Sequence, residues 1–486
     1  MAQHARSIPR LHSAVAGSPF QGASAGDDIM VIDPWRDEPV HRLARGGADA
    51  VNAAVARARE AFLASRWESR ATRAGWLLAA ADAIAAAAPA LTDLMVRAIG
   101  KPRRAAGFEV GRSAAFIRAC AGAIHHLHGE TVPLDGTPAG AGRFGFAERV
   151  PLGVVAAVTP FNAPANLLVQ KVAPAIVTGN AVVVKPAPEG AAVALEIARL
   201  FAEAGLPAGL FSVVLGGAEE ALALAAHPDV AVVTVTGGTA AGEALARAAG
   251  AKRFLGELGG NSPNIVCADA DLPDAVARIL PSAFEASGQQ CISTQRIIVE
   301  EPLFDAFAEA FVEGARRLKA GDPDDPDTDL GPVVHARAAD RICGMIDAAV
   351  ADGARLLTGP DRRGCLIAPT VVSRAPQASV LVREEIFGPV AVLLPVPDVD
   401  AALALANDCE YGLQGACFTR SLDTAMRMSR ELQVGSVWIN EASRFRLDSY
   451  PFGGFGKSGT GREGVTYAME ECTTWKFTGM RLSAGR

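Results

Sequence analysis

The 486-residue chain lacks the patterns that mark several common protein classes. None of its eight cysteines forms a CxxC pair, and its eight histidines show no zinc spacing. No uninterrupted apolar run approaches the ~18 residues of a membrane-spanning helix. These absences argue against a zinc module, a disulfide scaffold and a membrane span. In a chain of this length the cysteines are expected to be reduced thiols of a cytoplasmic protein.

An excess of basic charge is also missing. The net charge is −7, which leaves no electrostatic footprint for nucleic acid. The histidines at 125, 126 and 128 cluster, but a helix end beside a turn explains them better than a metal site, so we expect no metal. The first 26 residues contain arginine but no acid, and no apolar segment follows to make a secretory signal. Residues 1–27 are therefore interpreted as a flexible extension.

The chain is rich in apolar side chains, since half of its residues are hydrophobic. Its length predicts two or three packed lobes. Alanine-rich helices are predicted at 48–66, 70–98 and 105–125. Short apolar runs then alternate with helical windows, which indicates a parallel sheet covered on both faces. The predicted strands are 153–158, 181–184, 211–215 and 230–235, with helices at 189–204, 217–226 and 239–249.

A second α/β series begins near Gly259. Its predicted strands are 264–267, 296–299, 390–394 and 436–440, and its helices are 273–289, 302–319, 338–352 and 399–407. The third strand should end at Leu394, because Pro395 cannot donate to a ladder. Two β-prone stretches, 130–150 and the tail after Gly464, lie outside both series. The predicted fold class is α/β.

Three side chains have the surroundings of reactive groups. Position alone favours an inert Cys291, but the polar run around it suits a thiol exposed in a cleft. Glu257 lies between glycines, with room to act as a general base; a solvated turn residue is the plain alternative. Asn162, at a strand end between prolines, can donate to a developing oxyanion, with the Cys291 backbone N–H as second donor.

Other residues suit a dinucleotide. The turn at Gly237 and Gly238 joins a strand to a helix, where small residues allow a diphosphate to approach the helix N-terminus. Lys185 closes a strand, within reach of a ribose. Glu385 and Phe387 place a carboxylate and an aromatic ring near a turn, suited to a nicotinamide ribose and ring.

Together these segments resemble the aldehyde dehydrogenase superfamily. Seven motifs occur in the family's order and spacing, from about residue 28 to the C-terminus: TPFNAP, VVVKPAP, TGGTAAG, ELGGNSP, GQQCIS, EEIFGP and PFGGFGKSGTGRE. The resemblance implies a Rossmann-like NAD(P)-binding domain (28–129 and 151–258), an α/β catalytic domain (259–464) and a β-strand oligomerisation arm (130–150 and 465–486). It also implies a homodimer or homotetramer.

By the same resemblance, Cys291 matches the nucleophile, Glu257 the base and Asn162 the oxyanion donor. The thiolate adds to the aldehyde, a hydride leaves for the nicotinamide, and Glu257 activates water to hydrolyse the thioester. The positions that match cofactor contacts are Thr159, Pro160, Phe161, Lys185, Pro188, Glu189, Gly237, Gly238, Leu258, Glu385 and Phe387.

Three departures from the family pattern matter. Gly238 replaces a hydroxyl residue in the diphosphate turn. Pro188 stands where many NAD-preferring members carry an acid, although Glu189 is adjacent, so the resemblance implies NAD without excluding NADP. Phe161 replaces the tryptophan common before the asparagine.

The substrate is less well determined. Arg112 lies on a helix that lines the family's substrate tunnel, and Arg446 precedes Phe452, which matches a tunnel aromatic. Two cations there favour a small anionic aldehyde, as in the lactaldehyde, succinate semialdehyde and phosphonoacetaldehyde group. The alternative is structural: Arg112 pairs with Glu109, and Arg446 with Asp448, in an enzyme of broad specificity for neutral aldehydes.

Other family branches are less favoured. A CoA-acylating enzyme or an acyl-phosphate reductase typically lacks the glutamate of the ELGG motif, whereas Glu257 is present here. A non-catalytic member would have no need of Cys291, Glu257 and Asn162 together.

Overall fold

Two central sheets organise the chain in the computed structural model, which describes residues 8–22 and 26–482. The first sheet has eight strands, and its five middle strands are parallel. These five are rich in valine and largely buried, as expected of strands covered on both faces. In spatial order the eight are Gly459–Thr460, Arg253–Glu257, Val230–Thr236, Val154–Thr159, Ala181–Pro186, Phe211–Val213, Ala14–Val15 and Ser18–Pro19.

Helices cover this sheet and extend beyond it. The prediction of one helix at 70–98 is wrong, because Pro89 occupies the first turn of a new helix and the axis bends by 66° at Ala87. Among the described residues, no single helix is long and apolar enough to cross a membrane. The helices of this half are Gly47–Ser65, Arg70–Ala86, Ala88–Ile99, Arg103–Ala123, Asn166–Val177, Ala191–Glu203, Ala218–Ala226 and Thr239–Ala249.

The second sheet has seven strands, all parallel except the edge strand Arg355–Thr358. After that edge the order is Thr370–Ser373, Val390–Val396, Thr294–Glu300, Ser262–Val266, Gln414–Phe418 and Ser436–Ile439. Its helices are Leu272–Phe284, Glu301–Arg317, Ala336–Ala351, Val380–Arg383, Val399–Asn407 and Leu422–Glu431. Two small antiparallel pairs join Arg362–Arg363 to Leu366–Ile367 and Tyr411–Gly412 to Phe455–Gly456.

Two of the boundaries in this half that differ from prediction have a clear physical reason. The strand Val390–Val396 continues through Pro395, because its neighbour Thr370–Ser373 pairs only as far as Leu393 and leaves one side of the strand unpaired. The helix predicted at 273–289 ends at Phe284. It is followed by a tight turn, Glu285–Gly288, in which Ala286 and Ser287 adopt left-handed φ of 51° and 58°.

The terminal segments are built into sheets. Thr473–Arg481, Arg143–Pro151 and Glu130–Val132 form an antiparallel sheet, preceded by a helix, Val465–Glu471, where only β-prone character was predicted. Arg10–Leu11 pairs with Glu38–Leu43, which also pairs with Ile29–Asp33. The part of the predicted flexible extension that runs from 10 to 19 is therefore corrected to strands, whose backbone hydrogen bonds fix it to two sheets; residues 1–7 and 23–25 lie outside the described residues.

The parallel strands bring three site segments to one edge. Thr159, Thr236 and Glu257 are the last residues of their strands. Because carboxyl ends of parallel strands share an edge, the loops that follow them converge there. Gln290 and Cys291, just before the strand Thr294–Glu300 of the second sheet, line one cavity with Asn162, and this cavity holds the candidate active site.

Candidate active site

Cys291 lies between the left-handed turn and the strand Thr294–Glu300. Gly288 has φ +66°, and a Cβ on it would lie 2.1 Å from the Gly388 carbonyl oxygen, so the turn packs directly on the EEIFGP segment. A Cβ on Gly260 would lie 2.0 Å from the Cys291 carbonyl oxygen. The glycines of three motifs thus let the backbone close around a half-buried thiol. Burial raises the pKa of Cys291 to about 12, while the Arg446 cation acts in the opposite direction.

Asn162 meets the cysteine loop, as the sequence predicts. Its Nδ2 donates to the Gln289 carbonyl oxygen at 2.8 Å, and its own carbonyl oxygen accepts from Lys101 Nζ at 3.0 Å. One bond fixes the amide and leaves its second N–H available. Asn162 and Cys291 line one cavity of about 100 Å³.

Glu257 does not line that cavity. It is buried beside Gln170, Lys171 and Glu463 in a second cavity of about 20 Å³, and its Oε2 has no hydrogen-bond partner among the described residues. Burial, and next the neighbouring Glu463 charge, raise the pKa of Glu257 well above its usual range. To reach an adduct on Cys291, the carboxyl group must turn from this position.

Glu463 is the ionised partner of the two acids. Lys171 Nζ donates to one of its oxygens at 3.0 Å, and Arg446 donates to the other at 2.9 Å. These two cations outweigh the cost of burial and lower the pKa of Glu463 to about 2. The site therefore holds two neighbouring buried acids whose pKa values are driven apart, with that of Glu463 lowered and that of Glu257 raised.

Four cations line the Cys291 cavity: Lys101, Arg112, Arg444 and Arg446. The pairs proposed as a structural alternative are wrong, because tertiary contacts supply other partners. Arg112 bonds Asp448 Oδ1 at 2.7 Å, and one nitrogen of Arg446 bonds both Glu463 and Gln170 Oε1, the latter at 2.7 Å. Glu109 pairs instead with Lys101.

Phe452, expected at the substrate tunnel, is not among the residues that line this cavity. It is fully buried and packs with Ile292, Leu413 and, at the edge, Cys291. The Arg446 guanidinium carbon lies 3.6 Å from its ring centroid. The ring therefore makes a cation–π contact with the guanidinium group, and desolvation strengthens such a contact.

The predicted cofactor residues form two groups. Phe161 and Phe387 meet edge to face at 6.0 Å, and Glu385 Oε1 accepts from the Gly260 N–H at 2.8 Å. Burial raises the pKa of Glu385 to about 7. The chain also approaches closely at Leu258, where a Cβ on Gly242 would lie 2.2 Å from the leucine side chain. The turn Pro188–Gly190 packs on the TPFNAP segment, since a Cβ on Gly190 would lie 3.0 Å from Pro164.

The second group lies at the strand ends. Gly237 and Gly238 precede the helix Thr239–Ala249, and a Cβ on either would meet nothing within 4 Å. Lys185 is buried at the end of its strand, with Glu189 in the short turn that follows, and burial lowers the pKa of this lysine to about 8. An open glycine turn at a helix N-terminus, with a buried ammonium group nearby, fits a dinucleotide. No group of three or more His, Cys, Asp or Glu among residues 8–22 and 26–482 forms a candidate metal site.

Sequence reasoning missed Lys171, Glu463, Glu285 and Arg444. Lys171 had a signal, a lone lysine in the wholly buried helix Asn166–Val177. Glu463 closes the motif PFGGFGKSGTGRE, and Arg444 lies two residues before Arg446, so each stands next to a segment that the sequence singled out.

The model of the aldehyde dehydrogenase family matches residues 20–478. The chain belongs to the aldehyde dehydrogenase family. It is accordingly an NAD(P)-dependent oxidoreductase acting on aldehydes, with the α/β fold that the sequence predicts. It is 37% identical over 460 residues to a 3-sulfolactaldehyde dehydrogenase of Priestia aryabhattai, covering 94% of this chain and 96% of the relative.

Two further relatives are similar over most of their length. An aspartate-semialdehyde dehydrogenase 1 of Pseudomonas canavaninivorans is 40% identical, covering 94% of both chains. The crystal structure of an NADP-dependent glyceraldehyde-3-phosphate dehydrogenase from Bacillus halodurans C-125, complexed with NADP, superposes with a TM-score of 0.95 at 34% identity, covering 98% of this chain and 100% of the other.

Proposed function

We propose that the enzyme oxidises a small anionic aldehyde to its carboxylic acid, with NAD or NADP as the oxidant and water as the oxygen source. The observation that carries the anionic preference is the arrangement of charges at the Cys291 cavity. Arg112 and Arg446 line it, whereas their acids, Asp448 and Glu463, lie outside the lining. Glu109 and Glu285 also line the cavity, but they pair with Lys101 and Arg444, so Arg112 and Arg446 give the lining its excess of positive charge. Such an excess favours a carboxylate, sulfonate or phosphonate.

The proposed covalent chemistry belongs to Cys291. Its sulfur attacks the aldehyde carbon, and the oxygen that becomes negative accepts hydrogen bonds from Asn162 Nδ2 and the Cys291 backbone N–H. Because burial raises the thiol's pKa, a base must take its proton, and the Arg446 cation, which acts against the effect of burial, favours the resulting thiolate. A nicotinamide held beside Phe161, Glu385 and Phe387 would supply the two-electron oxidation as a hydride acceptor, and Cys291 would then carry the acyl group as a thioester.

We assign the hydrolysis of that thioester to Glu257. Its raised pKa makes the ionised group a stronger base than an ordinary carboxylate, and Lys171 and Glu463 lie beside it in the second cavity. A base that can activate water supports a free acid as product rather than acyl-CoA. Turnover should therefore need no coenzyme A.

We assign cofactor contacts to the two groups described above. Lys185, with Pro188 and Glu189 in the adjoining turn, would hold the adenosine ribose. Gly237 and Gly238 would admit the diphosphate. Glu385 would bond the nicotinamide ribose, with Thr159, Pro160, Phe161, Leu258 and Phe387 around the ring. Pro188 stands where an acid would repel the 2′-phosphate of NADP, so both NAD and NADP are retained as oxidants.

We also propose a homodimer or homotetramer formed through the antiparallel strands Arg143–Pro151 and Thr473–Arg481. Phe144, Trp475 and Phe477 are exposed on these strands, as a surface that another subunit covers would be.

The three relatives support the substrate class, because their names refer to a sulfonated, a carboxylated and a phosphorylated aldehyde.

The test compares succinate semialdehyde with butyraldehyde, a neutral aldehyde of the same chain length, by NADH or NADPH absorbance without coenzyme A. Arg112→Leu and Arg446→Leu should each raise KM for the anion about tenfold to a hundredfold, the cost of losing a charged hydrogen bond, and change KM for butyraldehyde far less. The matched control is Arg118→Leu, because Arg118 lies on the same helix as Arg112 but is exposed and pairs with Asp82. Equal effects on both aldehydes would refute the anion site.

A further inference from the structure

The pair formed by Arg444 and Glu285 differs from the other ion pairs of the cavity. Arg444 and Glu285 are in direct contact, and both line the Cys291 cavity. Both also line the adjoining, larger cavity of about 350 Å³. This pair therefore presents a cation and an anion side by side to anything that approaches the thiol.

Its hydrogen bonding is incomplete. Among the described residues, Arg444 is the one partner that the structure gives the Glu285 carboxylate. The Nε of Arg444 is buried without a partner, although the backbone N–H of Arg444 is anchored on Ser282 Oγ at 3.3 Å. An anchored backbone with unused polar atoms suits a clamp whose ligand completes the hydrogen bonding.

The other acid of this lining is fully used by the protein. Glu109 Oε1 accepts from the N–H groups of Ala165 and Asn166 at 2.8 and 3.0 Å, and Oε2 pairs with Lys101. Glu285, by contrast, accepts no backbone N–H within the described part of the chain, and its partner is a side chain of the same cavity lining. A substrate cation would therefore meet Glu285 rather than Glu109.

We infer that the Arg444–Glu285 pair is a zwitterion clamp, which selects an aldehyde carrying an ammonium and a carboxylate group on the same carbon. Glu285 accepts from the ammonium, and Arg444 donates to the carboxylate. The inference rests on the proposed function, since Cys291 must still oxidise the aldehyde at the other end of the molecule. Arg112 and Arg446 supply the general preference for an anion, and the clamp adds recognition of the adjacent positive charge.

A matched pair of substrates isolates that charge. Aspartate semialdehyde and succinate semialdehyde differ only by the ammonium group, so the ratio of their kcat/KM values measures its recognition. Wild type should prefer the amino aldehyde. Glu285→Gln should lower the ratio about tenfold or more, the usual effect of removing a charged hydrogen-bond partner, and Glu285→Asp, which keeps the charge, should retain most of the preference.

The control is Arg104→Gln, which breaks the ion pair between Arg104 and Asp329. Both residues line the cavity of about 350 Å³ but not the Cys291 cavity. It should leave the ratio as in wild type. A ratio unchanged in Glu285→Gln, with circular dichroism showing a folded protein, would overturn the clamp while succinate semialdehyde turnover upholds the proposed function. Absence of turnover with both substrates, but not with butyraldehyde, would overturn the anionic substrate class and the clamp with it.

Discussion

Replacing Glu109 with glutamine tests how the oxyanion donor is held in place. Glu109 is buried on the helix Arg103–Ala123, and its carboxylate caps the helix that begins at Asn166. Lys101 bonds both Glu109 and the Asn162 carbonyl oxygen. One acid therefore connects a helix N-terminus, a half-buried cation and the loop that carries Asn162.

The size of the effect follows from what remains in the variant. Glutamine keeps an oxygen for the two backbone N–H groups but leaves the Lys101 ammonium without its counter-charge. Removing one partner of a buried ion pair costs about 3–5 kcal/mol, and the remaining bond to Asn162 places this pair near the lower end. At about 2–4 °C per kcal/mol for a unit of 150–250 residues, the midpoint of thermal inactivation should fall by about 6–12 °C.

Activity should fall as well, because Lys101 no longer fixes the Asn162 carbonyl. Loss of a well-placed oxyanion donor lowers kcat about a hundredfold, and a displaced donor should approach that figure with KM little changed. Glu196→Gln breaks an exposed pair with Arg199 and serves as the control, since surface pairs contribute about 0–1 kcal/mol. A Glu109→Gln enzyme with wild-type kcat and thermal midpoint would refute this account of the loop.

Two further outcomes are expected. Gly260→Ala should abolish aldehyde oxidation, because its Cβ would meet the Cys291 carbonyl oxygen at 2.0 Å, whereas Gly111→Ala, on an exposed helix face with open space, should be fully active; an active Gly260→Ala enzyme would show that the loop yields. Affinity for NAD should be constant below pH 8 and fall above it, because burial lowers the pKa of Lys185 to about 8 and the neutral amine binds the ribose less strongly. Calorimetric titration from pH 7 to 9.5 measures this, and the same decline in Lys185→Gln would contradict it.

Periodicity and motif spacing determined most of the fold in advance. The strands around 153–158, 181–184 and 230–235 were predictable because each is a short apolar run between helical windows. The break at Ala87 was not, since Pro89 is compatible with both a kink and a new helix start. Pro395 was misjudged for a related reason, because the tolerance of proline depends on where the neighbouring strand ends.

The candidate site was predictable only in part. Cys291, Asn162 and the glycines of three motifs were predictable, because the local backbone chemistry around each of them is distinctive. The charge partners do not follow from the sequence, because Arg112 finds Asp448 and Arg446 finds Glu463 across long stretches of chain. Nearness in sequence suggested Glu109 as the partner of Arg112 and Asp448 as the partner of Arg446. The packing of separate elements gives both arginines other partners.

The position of Arg446 joins two functions that sequence reasoning treated separately. One of its nitrogens holds both Gln170 and Glu463, which line the cavity of Glu257, while the side chain itself lines the cavity of Cys291. Substitution of Arg446 therefore removes an anion contact and also a charge that lowers the pKa of Glu257. With butyraldehyde the first loss has no effect, so a shift of the pH–rate profile toward higher pH in Arg446→Leu would isolate the second. Arg112, whose partner Asp448 lies outside the Glu257 cavity, should show no such shift.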